Sequence, residues 1–328
     1  MSDIKVSVCV PVYGVEKYIA RCAESLFNQS MRSDIEFIFV NDCTKDKSME
    51  ILAETIQKYP ERLKQIKIIH HEKNKGLAGA RNTALQHAEG DYIIHCDSDD
   101  MVDKCYCENM YNAAVKNNAD VSACPIFLWQ GDSPSGIISL PEGGVEAWFA
   151  QSFHSAVFNS LCNKMFARHI ALDPSIQVPD NITMAEDLLR TTQMLLKCKK
   201  AVTCVPNENC YHYYLGHSGA STTNYSNKTF ASEKEVISIL DKIIPDKYAN
   251  QRNACWGLLL LAGLCSEGIS IEELQQTVSR NQHCTSLSNP CISFAKRQLL
   301  KMAYISMPMA RACAMLLLKL RNNLRSSK

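Results

Sequence analysis

Along the first 130 residues, short apolar runs alternate with longer segments of helical period. Residues 5–12 form a Val-rich run, residues 35–40 a second that ends in Asn41-Asp42, and residues 66–70 a third. Residues 92–96, Tyr92-Ile93-Ile94-His95-Cys96, make a fourth, and a fifth lies around Val121. Each has the length of a buried strand. Between them, residues 15–29, 46–59, 76–88 and 104–117 read as helices. Strands alternating with helices of this length predict βαβ units and a parallel sheet, hence an α/β protein.

The alternation breaks over residues 130–144, where Gly, Pro and Ser gather and predict a loop. Beyond it, residues 156–169 and 185–197 read as helices, with a short strand over 201–205. From about residue 230 the strand signals vanish, and a polar loop occupies residues 282–290. The last segment, residues 294–325, is apolar and Met-rich with Lys and Arg at its other positions. The expectation is an α/β domain over residues 1–225 and a helical region over 226–328, with no internal repeats.

Length and composition narrow the classes. A chain of 328 residues with 46% hydrophobic content holds one large α/β domain and a smaller companion. A net charge of +1 creates no global field for nucleic acid. No run reaches the roughly 18 apolar residues of a membrane span, and the strongest, residues 256–265, has the length of a buried core helix. Sixteen cysteines follow no regular spacing, and the close pair Cys105 and Cys107 has no second pair at zinc-binding distance in sequence. Met1-Ser2-Asp3-Ile4-Lys5 carries no secretory pattern, so we expect reduced thiols in a cytoplasmic protein.

Candidate chemistry gathers where the strands end. In an open parallel sheet the carboxyl ends of the strands face the ligand crevice. The first strand ends in Pro11-Val12-Tyr13, whose Tyr is able to stack on a planar base or simply to sit exposed. The second ends in Asn41-Asp42, a partner for a base or ribose, or a turn. After the third, Asn74-Lys75-Gly76-Leu77-Ala78-Gly79-Ala80-Arg81-Asn82 opens a helix with small residues that admit a ligand and an Arg suited to phosphate or base. Its spacing is neither a Walker A motif nor a dinucleotide fingerprint.

The fourth strand ends in Asp97-Ser98-Asp99-Asp100. Three acids at the end of a buried run require a compensating cation, and hard carboxylate oxygens suit a divalent metal beside phosphates. The competing reading is a polar turn. Four such motifs at successive strand ends weigh against turns alone.

Taken in order, Ser7-Val8-Cys9-Val10-Pro11-Val12-Tyr13, Val40-Asn41-Asp42, Asn74 and Gly76 through Ala80-Arg81-Asn82, Gly90-Asp91-Tyr92 and Asp97-Ser98-Asp99-Asp100 resemble the family 2 glycosyltransferases. The resemblance covers about residues 5–215. It implies a GT-A fold: a Rossmann-like, mostly parallel central sheet flanked by helices. It also implies inverting transfer of a sugar from a nucleotide-activated donor, usually a UDP-sugar, with Mg2+ or Mn2+. Carried onto this chain, Pro11, Val12, Tyr13 and Asp42 would bracket the base with Arg81 nearby. Asp97 and Ser98 would lie along the ribose and its neighbourhood. Asp99 would face the metal, with Asp100 assisting it or capping the next helix.

Further on, Ala185-Glu186-Asp187-Leu188-Leu189 resembles the family's Glu-Asp motif. That implies Asp187 as the base that deprotonates the acceptor hydroxyl, with Glu186 orienting it or touching the acceptor. The plainer alternative is a pair of acids complementing a helix dipole. Asn163-Lys164 also resembles a family segment near donor or acceptor. Two features depart from the family: Gly14 stands where an Asn is common, and no Arg follows the Tyr-rich run 211–214. His217 is the remaining cation there, either a diphosphate contact or a loop residue.

The expected partners are a nucleotide-sugar donor and a carbohydrate or lipid-linked glycan acceptor. The basic, apolar segment after residue 290 suits either packing on the rest of the chain or peripheral membrane contact, with Pro308 breaking its helix. The rival functions are a sugar nucleotidyltransferase, whose glycine-rich signature is missing, and a non-catalytic nucleotide-sugar-binding scaffold.

Overall fold

The structure, a computed structural model, describes residues 4–151, 153, 159–204, 211–216, 225–279, 289 and 291–326. The chain divides into two compact units, residues 1–182 with 186–220, and residues 183–185 with 221–328.

The first unit opens with β1 (Val6–Val12), α1 (Ile19–Phe27), β2 (Ile35–Asn41), α2 (Ser48–Gln57), β3 (Ile66–His70) and α3 (Gly76–Gln86). Then come β4 (Tyr92–His95), β5 (Met101–Val102), α4 (Tyr106–Asn117), β6 (Val121–Ala123), β7 (Ile126–Gln130) and β8 (Ser133–Ile138). It continues through α5 (Gly144–Gln151), β9 (Lys164–Ala167), α6 (Arg168–Ala171), α7 (Glu186–Lys197), β10 (Ala201–Thr203) and β11 (Tyr211–Leu215).

Seven strands form the main sheet in the order β10-β6-β9-β4-β1-β2-β3, and four form a second in the order β5-β11-β7-β8. Among the described residues only β9 runs antiparallel in the main sheet, paired with both β4 and β6. β1 lies between β2 and β4 and is buried along all seven residues, which is why it reads as an unbroken apolar run. The chain steps from β1 to β2 to β3 in one direction and then returns to the far side of β1 as β4. That reversal is the topological switch point at which open α/β sheets form their ligand crevice.

Packing of α1 illustrates how the helices are held. Ile19, Cys22, Ala23, Leu26 and Phe27 recur at helical spacing and are all buried. Phe27 meets Phe37 and Phe39 of β2 edge-on, at 5.5 and 6.0 Å between centroids. Each such buried side chain contributes on the order of 1.5–3 kcal/mol. At the end of the sheet away from the crevice, Ser7 Oγ donates to Glu36 Oε1 (2.5 Å) and accepts from Gly90 N (2.8 Å). Lys67 neutralises the buried Glu36 at 2.8 Å. A Cβ on Gly90 would lie 2.6 Å from Ser7 N, so only glycine lets the turn pass here.

Two expectations need correction. Of the helix expected over 156–169, residues 156–158 lie outside the described residues, Lys164–Ala167 is the antiparallel strand β9, and α6 starts only at Arg168. The segment 130–144 is not simply a loop, because Ser133–Ile138 forms β8 against β7. In both, tertiary pairing overrides local pattern.

The second unit contains α8 (Asn227–Ile243), α9 (Ala249–Leu264), α10 (Ile271–Ser279), α11 (Phe294–Ile305) and α12 (Met307–Ser326). Ser226 caps α8 in a reciprocal box with Thr229. The helical break expected at Pro308 falls at Ser306, and Pro308 occupies the first turn of α12, where its missing N–H costs nothing. The fourteen described cysteines are all free thiols. Among the described residues no helix is long and apolar enough to cross a membrane.

Candidate active site

The crevice at the ends of β1, β2 and β4 is built outward from Asp42. This carboxylate is almost fully buried. Its Oδ1 accepts from Lys75 N (2.7 Å) and lies 2.7 Å from His71 Nδ1, and its Oδ2 accepts from Gly76 N (2.8 Å). His71 Nε2 lies 2.8 Å from Thr83 Oγ1, so a neutral ring protonated at Nδ1 satisfies both partners. Gly76 adopts φ +76°, which turns the chain so that its N–H meets Asp42. Asp42 therefore holds the start of α3, and its oxygens are already engaged by the protein. Pro11 and Val12 are buried within the β1–β2 register rather than at a free strand exit, so they floor the crevice. Tyr13, the next residue, is 53% exposed and open to a ligand.

Arg81 is the centre of the site. Its side chain is 3% exposed, its Nη1 pairs with Glu186 Oε1, and its Nη2 lies 2.6 Å from Asp97 Oδ1. The adjacent Asn82 accepts from Arg190 Nη2, so two consecutive residues of α3 grip α7 one helical turn apart. The two carboxylate motifs, about 90 residues apart in sequence, thus share one guanidinium. Burial opposes the charge on Arg81, but Glu186 and Asp97 more than offset it and hold its pKa well above the ordinary value. Among the described residues, Arg81 Nε and Glu186 Oε2 are buried without hydrogen-bond partners.

Burial raises the Glu186 carboxyl to about 7 despite Arg81 beside it. Asp187, which is partly exposed, is also raised by burial, and Arg81 opposes that rise. Its Oδ1 accepts from Leu188 N at 2.8 Å. Ala185, just before the pair, takes a left-handed φ of 61°, as does Cys43 after Asp42 at 59°. Non-glycine residues in that region store about 1 kcal/mol or more of strain, and such residues cluster at functional sites.

Burial, reinforced by the charge of Asp97, raises Asp99 to about 6. Ser98 beside it is buried. Asp100 points elsewhere: its Oδ2 accepts from Tyr211 Oη (2.6 Å) and its Oδ1 from Tyr214 N (2.9 Å). Tyr211 Oη also accepts from Asp97 N at 3.1 Å, so one hydroxyl locks both ends of the acid turn. Asp100, expected to assist with the metal or to cap the next helix, has both of its buried oxygens engaged by β11. Among the described residues no cluster of three or more His, Cys, Asp or Glu could hold a metal alone. A hard cation bound by one or two carboxylates, waters and substrate phosphates needs no such cluster. The raised Asp99 beside Asp97 fits it, being carboxylate charge that lacks a full counterion.

Sequence reasoning missed several contributors. Arg21 donates to Asp99 O at 2.7 Å and stacks 3.5 Å over the Tyr214 ring, yet nothing local to α1 marks it. Arg190 was legible in principle, four residues after Glu186 on the same helix face. Lys164, singled out in the sequence with Asn163, was not missed: it is fully buried in β9, with Nζ donating to Ser160 O and Asn163 Oδ1 at 2.9 Å, and burial lowers it to about 7. His217 lies outside the described residues.

The profile of the family "Glycosyl transferase family 2" matches residues 7–171, just over half of the 328 residues. The chain belongs to that family. It is 32% identical over 218 residues to the minor teichoic acid biosynthesis protein GgaB of Bacillus subtilis, covering 66% of this chain and 23% of that one. It is 30% identical over 219 residues to a poly(ribitol-phosphate) beta-glucosyltransferase of Bacillus spizizenii, covering 66% and 33%. The chain therefore spans about a quarter to a third of the length of these relatives. Staphylococcus aureus TarS 1–349 in complex with UDP-GlcNAc superposes with a TM-score of 0.60 at 18% identity, over 92% of this chain and 91% of that one. The fold is accordingly GT-A, with a helical C-terminal region.

Proposed function

We propose that this chain is an inverting glycosyltransferase. It moves a hexose or N-acetylhexosamine from a UDP-sugar to a hydroxyl of a glycan or lipid-linked glycan, with Mg2+ or Mn2+. The observation that carries this reading is the ion bridge from Asp97 through Arg81 to Glu186, which sets a donor-side acid turn beside an acceptor-side pair. In a single displacement the acceptor oxygen attacks the anomeric carbon as the bond to the diphosphate breaks. A carboxylate on the acceptor side must take the hydroxyl proton.

Asp187 is that base, and burial brings its pKa upward, toward that of an effective base near neutrality. Glu186, fixed by Arg81, orients the start of α7 and so positions Asp187. Tyr13 stacks on the uracil over the floor made by Pro11 and Val12. Asp42 acts by holding Lys75 and Gly76 in place. Asp97 and Ser98 line the ribose and diphosphate, and Asp99 holds the cation. A cation held there would offset the charge that develops on the leaving diphosphate. Complexes of fold neighbours support the donor and metal: TarS with UDP-GlcNAc, and GalNAc-T7 with UDP, GalNAc and Mn2+. The relatives named as poly(ribitol-phosphate) glycosyltransferases support a polymeric acceptor.

Thermal shift with UDP and UDP-sugars, with and without Mn2+, tests the donor half. Stabilisation should require nucleotide, increase with metal, and lose its metal-dependent part in Asp99→Asn. No nucleotide response in any metal would sink the enzymatic reading. Asp187→Asn should keep the donor shift while transfer falls about 100-fold or more. Loss of donor binding in that variant would remove Asp187 from the role of base.

A further inference from the structure

We propose that the α11–α12 face of the second unit docks on an anionic lipid surface. From Cys291 onward the chain carries eight Lys and Arg and no Asp or Glu, although its overall net charge is only +1. On α12, Met307, Ala310 and Ala314 are buried, and the helix packs on α9, α10 and α11 of the same unit. The opposite face shows Met309, Leu316 and Leu320 at spacings of seven and four, with Leu317 beside them, and the three leucines are each more than half exposed. Ile305 extends the strip onto the end of α11 and is 81% exposed. Single exposed leucines are ordinary, but a continuous strip on one helix face marks an interaction surface.

Charge decides the occupant. Lys301 and Lys319 are exposed, whereas Arg311 is turned inward to Gly263 O and Ile269 O. A cationic helix with an exposed apolar strip lies in the plane of a bilayer interface, its leucines below the headgroups and its lysines among anionic ones. A second copy of the chain would bring together two cationic helix pairs that carry no carboxylate of their own, which repel. A soluble polyanion would leave the leucines in water.

Flotation of the 328-residue chain tests this, using phosphatidylglycerol–phosphatidylcholine vesicles against phosphatidylcholine alone. We expect partitioning onto the anionic vesicles at low salt, little onto the neutral ones, and release at high salt. The double variant L316D/L320D should lower partitioning at least about tenfold, and K301E/K319E about tenfold or more. All four positions are exposed, so both variants should keep the helical circular dichroism and the nucleotide thermal shift, which separates this test from that of the transferase reading. Absence of anionic-vesicle binding, equal binding to both vesicle types, or binding that survives L316D/L320D would overturn the proposal. A dimer abolished by L316D/L320D without vesicle binding would assign the face to a second copy and overturn it equally.

Discussion

Arg81→Met removes a guanidinium that is 3% exposed from between two carboxylates, one of them only 6% exposed. Methionine keeps most of the stem volume, so the loss is chiefly electrostatic. Removing one partner of a buried ion pair costs about 3–5 kcal/mol, because the other charge stays buried without compensation. The cost has a predictable dependence on pH. Burial raises Glu186 from 4.5 to about 7 in the intact protein. A carboxyl whose folded pKa is raised favours the folded state most when protonated, so its contribution is complete below about 4.5 and fades as pH climbs through about 7. Arg81 pulls that pKa down, so the variant shifts the window upward and loses stability further into the alkaline range.

Urea midpoints at about pH 5 and about pH 8.5 should therefore show a small penalty at the lower value and about 3–5 kcal/mol at the higher. Arg81→Met with Glu186→Gln should recover the part of that loss due to Glu186, leaving only the 26% exposed Asp97 without its cation. Equal penalties at both pH values, or no recovery in the double variant, would show that Arg81 acts through packing. The bridge between the two carboxylate motifs would then have no electrostatic role.

Asp42→Asn leaves one acceptor where three donors now converge and should cost about 1–3 kcal/mol. Hydrogen exchange should show faster opening at Lys75 and Gly76 than in the rest of α3. Tyr211→Phe removes the hydroxyl that accepts from Asp97 N and donates to Asp100, at about 1–3 kcal/mol. Titration calorimetry should show weaker Mn2+-dependent UDP binding in this variant, because the acid turn loses its fixed shape. Unchanged affinity would mean that Tyr211 serves stability alone.

The strands that frame the crevice were legible because they are buried on both faces, which leaves an unbroken apolar signature in β1 and β2. Their terminal motifs were legible because residues at strand ends are freed from the core. What each side chain touches was not legible. Asp42 and Asp100 look like ligand-facing acids in sequence, yet each spends its oxygens on partners at least 29 residues away. Arg81 reads as a phosphate contact, but the second carboxylate motif meets it only once α3 and α7 are packed. β9 was misread for the same reason, since four residues carry too little periodicity to reveal a strand.

β9 has a consequence for how the protein can be divided. It enters the sheet between β4 and β6, so those earlier strands remain unjoined until residues 164–167 arrive. A fragment ending near residue 130 would contain every donor-side motif and still present two raw strand edges in the middle of its sheet. Such edges recruit other chains, and the long closure would make folding slow as well. The donor half is thus not an independent module. Exchanging it between relatives requires carrying the chain through β10, and synthesis must pass residue 203 before the main sheet can be completed.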